Sequence, residues 1–229
     1  MPSKPFVRWR QQYREQSLTV VLVVEGIFIL LVVPLGMLFP VPSVLLSSVI
    51  VLILACVIMI LSANRAATLF VVAAIVLGRF AGLASERLHS LQATWLDDGT
   101  CLMTVVALSW SVAKGVFGPG RVTAHHIRGA IVLYLNFAVG FSAVYEIALT
   151  LLPHAFFGVS PGASHLELRA NLLYFSFSTL TTAGFGDITP IQPFVRSLVN
   201  LESVIGALYP AIMIARIVTL AVRDEMREG

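Results

Sequence analysis

The sequence predicts an all-α membrane protein with six transmembrane helices, the last two flanking a short re-entrant helix and loop. Three observations lead there. Hydrophobic residues fill 58% of the 229 positions and charged residues only 12%, about half the roughly 25% of a soluble domain. Apolar segments of 18 to 29 residues recur six times along the chain. Between the last two lies an aromatic- and hydroxyl-rich stretch too short to cross a bilayer. This composition excludes disorder, which needs many charges and few apolar residues. Two cysteines cannot build a disulfide scaffold, and the 15 basic residues form no cluster of the kind nucleic acid requires.

The apolar segments are 18–39, 43–62, 66–84, 100–117, 129–152 and 194–222. A helix needs about 20 residues to cross a ~30 Å hydrocarbon core. The last segment is longer and must tilt or project into water. Pro40 and Pro42 separate the first two, because proline cannot continue a helix. Ala63, Asn64 and Arg65 make a tight hairpin, and Gly118, Pro119 and Gly120 end the fourth segment. The basic stretch 1–17 has the look of a signal-peptide start. The 22 apolar residues behind it are too long for a signal core, and no small-x-small site follows. It is read as leading into an uncleaved first span.

Basic residues set the orientation. With both termini cytoplasmic, eleven of the 15 face inward: Lys4, Arg8, Arg10, Arg14, Arg65, Lys114, Arg121, Arg128, Arg216, Arg223 and Arg227. Only Arg79, Arg87, Arg169 and Arg196 face outward, as the positive-inside rule requires. Asp97 and Asp98 then lie in an outer loop, and Cys56 and Cys101 are not placed to bond. The chain divides into a cytoplasmic start at 1–17, a four-helix membrane region at 18–117 and an amphipathic interfacial linker at 118–128. A two-helix domain at 129–222 and a cytoplasmic tail at 223–229 follow.

Residues 153–193 hold the chemistry. A loop to about 169 precedes the stretch 170–181, whose 12 residues make a helix of only ~18 Å. It must enter the membrane and return. Non-helical backbone at that depth is tolerated only where protein buries it or where it lines water. Gly184 and Gly186 can adopt positive φ, which lets successive carbonyls turn one way. The short helix ends there, and the partial negative charge of its C-terminus favours a cation.

The string Ser176-Phe177-Ser178-Thr179-Leu180-Thr181-Thr182-Ala183-Gly184-Phe185-Gly186-Asp187-Ile188-Thr189-Pro190 resembles the pore helix and selectivity filter of the tetrameric potassium channel superfamily. The resemblance covers 129–222: outer helix 129–152, pore loop 168–190 and inner helix 194–222. It implies a homotetramer that conducts potassium passively. The ions are held by the carbonyls of Thr182, Ala183, Gly184, Phe185 and Gly186, with the Thr182 hydroxyl at the inner mouth. It also implies that Tyr174 and Phe175 brace the filter, that Tyr174 hydrogen-bonds Asp187, and that Ser178, Thr179 and Thr181 support it. No catalysis, and no cofactor beyond potassium ions, is implied. Ala183 and Phe185 stand where the family usually has valine and tyrosine. The smaller alanine and the lost hydroxyl leave open a weakly selective cation channel on the same scaffold. A transporter or sensor with a degenerate filter is the third reading. The pattern GxGD also occurs in intramembrane aspartyl proteases, which need a second aspartate sharing a proton. Asp97, Asp98 and Asp224 all fall outside the spans, so that reading is rejected.

Gly206 and Pro210 are four apart, and Pro210 removes the hydrogen bond to the Gly206 carbonyl. The pair predicts a bend in the inner helix, either a gating hinge, as the resemblance implies, or a static kink. Gly206→Ala with Pro210→Leu should straighten it, and an unchanged open probability would sink the hinge. No span carries the basic array of a voltage sensor. Regulation is left to membrane lipids, pH, ions or an unidentified regulatory chain. Intramembrane charges cost roughly 2.5–3.5 kcal/mol each on insertion scales and ask for partners. Glu25 and Lys114 lie at similar depth and are expected to pair. Glu146 and Glu202, beside the pore helix, either hydrogen-bond Ser178 and Thr179 and hold the filter or titrate and gate it; bracing is expected, because partnerless ionised carboxylates there are costly. His125 and His126 are expected to be wetted residues at the cytoplasmic surface.

Overall fold

The computed structural model describes residues 91–117, 124–152, 154–160 and 162–228, with positions 19, 22–27, 29, 73 and 76 besides. Of the expected spans, 43–62 falls wholly outside them, 66–84 except for two positions and 18–39 except for eight. The described elements are α1 (Leu91–Val116), α2 (Ala124–Leu151), β1 (Phe156–Phe157), α3 (His165–Leu180), β2 (Thr189–Pro190) and α4 (Pro193–Glu228). Two of these helices are apolar over a length that can cross a membrane, at His126–Leu151 and Pro193–Leu220. Gly99–Lys114 is a shorter apolar stretch. The described residues therefore do not support a count of six spans. They are mostly helical, with two helices long and apolar enough to cross a membrane.

The chain divides into two units at Leu133 and Tyr134. In the first, α1 buries Val105, Leu108, Val112 and Val116, spaced by three and four as one face of a 3.6-residue helix requires. Its other face leaves Met103, Val106 and Trp110 exposed. Its hydroxyls bond to its own backbone, Thr104 to the Thr100 carbonyl at 2.7 Å and Ser111 to the Ala107 carbonyl at 2.8 Å. Both hydroxyl protons are thereby satisfied within the helix. Asp97 and Asp98 lie on α1 itself and not in a loop. Lys114 does not pair with Glu25. Its ammonium sits 5.1 Å over the Trp110 ring, because a spacing of four stacks two side chains on one helical face. Glu25 is buried with one carboxylate oxygen lacking a hydrogen-bond partner among the described residues.

The second unit holds α3 between α2 and α4. Helix α3 is longer than the 12 residues read from sequence. Ser164 caps it, its hydroxyl accepting from the Glu167 N–H at 3.2 Å, and this starts α3 at His165. At 16 residues it spans ~24 Å, still short of a crossing. Likewise α2 begins within the expected linker, at Ala124, and α4 continues through the expected tail to Glu228. The core gathers around Tyr145, Phe156 and Phe175, whose rings meet edge to face at 5.2–5.5 Å, with Leu172, Ile188 and Val195 beside them.

One feature is not helical. β1 pairs antiparallel with β2, Phe156 opposite Pro190 and Phe157 opposite Thr189. The Ala155 carbonyl accepts from the Ile191 N–H at 2.8 Å. Gly158, at φ +84°, lets this loop close on Asp187: a Cβ there would lie 2.1 Å from the Asp187 carbonyl oxygen. The clip thus fastens the loop after α2 to the chain just beyond the filter.

Candidate ion pathway

The pathway begins where α3 stops. The Thr181 N–H closes the last turn on the Phe177 carbonyl at 3.0 Å, and the Thr182 N–H reaches the Thr179 carbonyl at 2.9 Å. From there the backbone alternates. Thr182, Gly184 and Gly186 take φ of +58°, +55° and +81°, while Ala183 and Phe185 do not turn positive. At Gly184 and Gly186 an added Cβ would meet nothing within 4 Å, so glycine is there for its dihedral and not for space. Thr182 has no such freedom. A β-branched residue at positive φ is an outlier, and here it stands directly after the end of α3.

Ser178 collects three consecutive donors. Its carbonyl accepts from Ala183 at 2.9 Å and Gly184 at 3.1 Å, and its hydroxyl accepts from the Phe185 N–H at 3.2 Å. In a trans peptide the carbonyl of one residue lies opposite the next residue's N–H. With the N–H groups of 183, 184 and 185 on Ser178, the carbonyls of Thr182, Ala183 and Gly184 turn away from α3. They turn toward the open side, for residues 181–187 are exposed in the single chain.

Residues 130–223 match the family described as Ion channel. This part of the chain is thus similar to ion channel domains. Two relatives resemble parts of the chain. Protein LctB of Bacillus caldotenax is 29% identical over 155 residues, covering 66% of this chain and 93% of that protein. Protein LctB of Geobacillus stearothermophilus is 32% identical over 88 residues, 37% of this chain and 64% of the relative.

Within this part of the chain the remaining residues sort by the face of α3 they occupy. Tyr174 stacks on Phe185 with ring centroids 5.9 Å apart and planes within 5°, and its hydroxyl bonds to Asp187. Phe175 does not join them. One residue along a helix is about 100° of rotation, and Phe175 points the other way, into the core with Tyr145 and Phe156. Thr179 contributes its carbonyl, and Thr181 bonds back to the Phe177 carbonyl at 2.7 Å rather than to the filter.

The two carboxylates also depart from expectation, since neither contacts Ser178 or Thr179. Glu146 takes the Arg169 Nε on both its oxygens at 3.0 Å. Glu202, fully buried, receives the Tyr145 hydroxyl at 2.6 Å and meets the Ser176 hydroxyl. Ser176 and Ser178 are two residues apart, about 200° around the helix, so only Ser178 can face the filter when Ser176 faces Glu202.

Gly206 is a contact before it is a hinge. A Cβ there would lie 1.9 Å from the Leu180 carbonyl oxygen, so the α4 backbone passes directly against the end of the pore helix. The same carbonyl accepts from the Tyr134 hydroxyl at 3.1 Å, and Tyr134 stacks on Tyr209 at 5.9 Å. α4 runs unbroken through Gly206 and Pro210. Tyr134 and Tyr145 went unnoticed in the sequence, where tyrosines amid apolar residues carry no distinguishing spacing, and Arg169 was read only as an outward-facing charge. The cap, Ser164 followed three residues later by Glu167, was legible as a capping pattern.

Proposed function

We propose that the protein is a potassium-selective channel, conducting passively through a pore of four identical chains. The observation that carries this is the gathering of three successive filter N–H groups on Ser178, which leaves the carbonyls of Thr182, Ala183 and Gly184 aimed at the open side. Such carbonyls replace the water around a dehydrated cation. Phe185 and Gly186 extend the row outward, and the C-terminus of α3 adds negative potential at the inner mouth. One row cannot surround an ion. Closure about a four-fold axis completes the cage and also covers the apolar side chains that α4 leaves exposed, among them Leu201, Val204, Leu208 and Ile212. In this reading 129–222 is the pore domain, preceded by four further spans in 18–117. The chain sits in a bacterial inner membrane with both termini cytoplasmic.

The test is rubidium and potassium uptake into liposomes holding the purified full chain, with sodium and barium as controls. Rubidium and potassium flux that barium blocks, with little sodium flux, is the expected result. Equal sodium flux would assign the weakly selective alternative that Ala183 leaves open. No flux above empty liposomes at any pH or voltage would overturn the channel.

A further inference from the structure

Behind the pore helix the hydrogen-bond protons do not add up unless Glu202 carries one. The Ser176 hydroxyl lies 2.8 Å from the Ala138 carbonyl and also against Glu202 Oε1. The Tyr145 hydroxyl takes Oε2. That is three acceptors and two hydroxyl protons, since a serine or tyrosine hydroxyl donates once. The carboxyl group is the remaining carrier of a third. An ionised Glu202 would also be a fully buried charge, and no Lys, Arg or His among the described residues forms an ion pair with it. The groups that face it are Tyr145 and Tyr134 from α2, the latter within reach of its charge, and Ser176 from α3. The nearby Arg169 is engaged with Glu146. Burying such a charge unpaired is the costly alternative.

We propose that Glu202 is a neutral carboxylic acid and a positioning residue for the pore helix. Its Oε1 proton goes to Ser176 Oγ, whose own proton goes to the Ala138 carbonyl, so one chain of hydrogen bonds ties α4, α3 and α2. Hydroxide at alkaline pH removes the Oε1 proton as water. Ser176 must then turn its single proton to the carboxylate and release Ala138. Ser178, two residues further along α3, holds the filter N–H groups, so flux falls as pH rises. This last step rests on the channel reading; the protonation of Glu202 does not.

Two measurements on the full chain test it. Infrared spectra of the wild type at neutral pH should contain a protonated-carboxyl band that Glu202→Gln removes, a difference that isolates this acid from Glu25. In liposomes, wild-type rubidium flux should fall with rising pH. Glu202→Gln should keep its flux and lose that fall, because the amide still donates to Ser176 and accepts from Tyr145 without titrating. Absence of the band overturns the neutral acid, and an alkaline fall unchanged in Glu202→Gln overturns the positioning role. Flux absent from every protein would refute the channel, while the band would still decide the proton.

Discussion

Gly206→Ala separates two roles for this glycine by the sign of its effect. Were Gly206 only a flexible joint, alanine would stabilise the helix by about 1 kcal/mol, the ordinary difference in helix propensity. The structure places the new Cβ 1.9 Å from the Leu180 oxygen, 2.7 Å from its carbonyl carbon and 2.9 Å from its Cα. Cβ atoms essentially never sit closer than 3.0 Å, so α4 and the end of α3 must part by roughly 1.1 Å, and by about 1.5 Å for ordinary contact. The obstacle is backbone on both sides and cannot swing aside. Overpacking of this kind typically costs ~1–3 kcal/mol, and its upper half outweighs the propensity gain to leave a net loss of about 1–2 kcal/mol. In a chain of this size that lowers the melting temperature by roughly 2–8 °C. Thermal unfolding of the purified protein in detergent is the assay, and Gly206→Val should fall further. A melting temperature equal to or above wild type would refute the close contact. Because Gly206→Ala also presses on the end of α3, the bend expected of Pro210 is better tested by Pro210→Leu alone.

Ser178→Ala keeps the carbonyl contacts to Ala183 and Gly184 but strips the Phe185 N–H of its acceptor. A loss of about 1 kcal/mol is expected for the unmet donor, read as a lower rubidium-to-sodium flux ratio. Gly158→Ala forces a side chain into a left-handed residue, at about 1–2 kcal/mol, and against the Asp187 carbonyl 2.1 Å away. The clip should open, and amide exchange at Ile191, whose N–H bonds Ala155, should accelerate. Arg169→Leu removes the cation from buried Glu146. With the Arg169 side chain 25% exposed, a loss of about 2–3 kcal/mol is expected, below the full cost of breaking a buried pair. Glu146→Leu added to it should recover part of that loss in thermal unfolding.

The features legible in the sequence are those set by neighbours along the chain. Gly184 and Gly186 announced positive φ because glycine alone takes it without strain, and both have it. Thr182 has it as well, which no rule for a β-branched residue anticipates, because the hydrogen bonds to the end of α3 impose it. The clip between β1 and β2 was invisible, since two-residue strands have no period to read. The resemblance assigned Phe175 to the filter together with Tyr174, but adjacent residues on a helix face different ways. Glu146 and Glu202 were correctly seen to need partners. The partners named were wrong, because the rotation of α3 decides which of its hydroxyls each one meets.

The sequence by itself determined that the chain lies in a membrane, that a short helix turns back between two long ones, and that glycines follow it. Each follows from apolar length or from the backbone freedom of single residues, and both are local quantities. Only the tertiary structure decided that Ser178 gathers the N–H groups of Ala183, Gly184 and Phe185, that Gly206 touches Leu180, and that Glu202 meets Tyr145, 57 positions away in the chain. Those contacts depend on how three helices are rotated and spaced against one another. An apolar pattern all round a membrane helix leaves that rotation unmarked, because lipid and protein interior are alike to it.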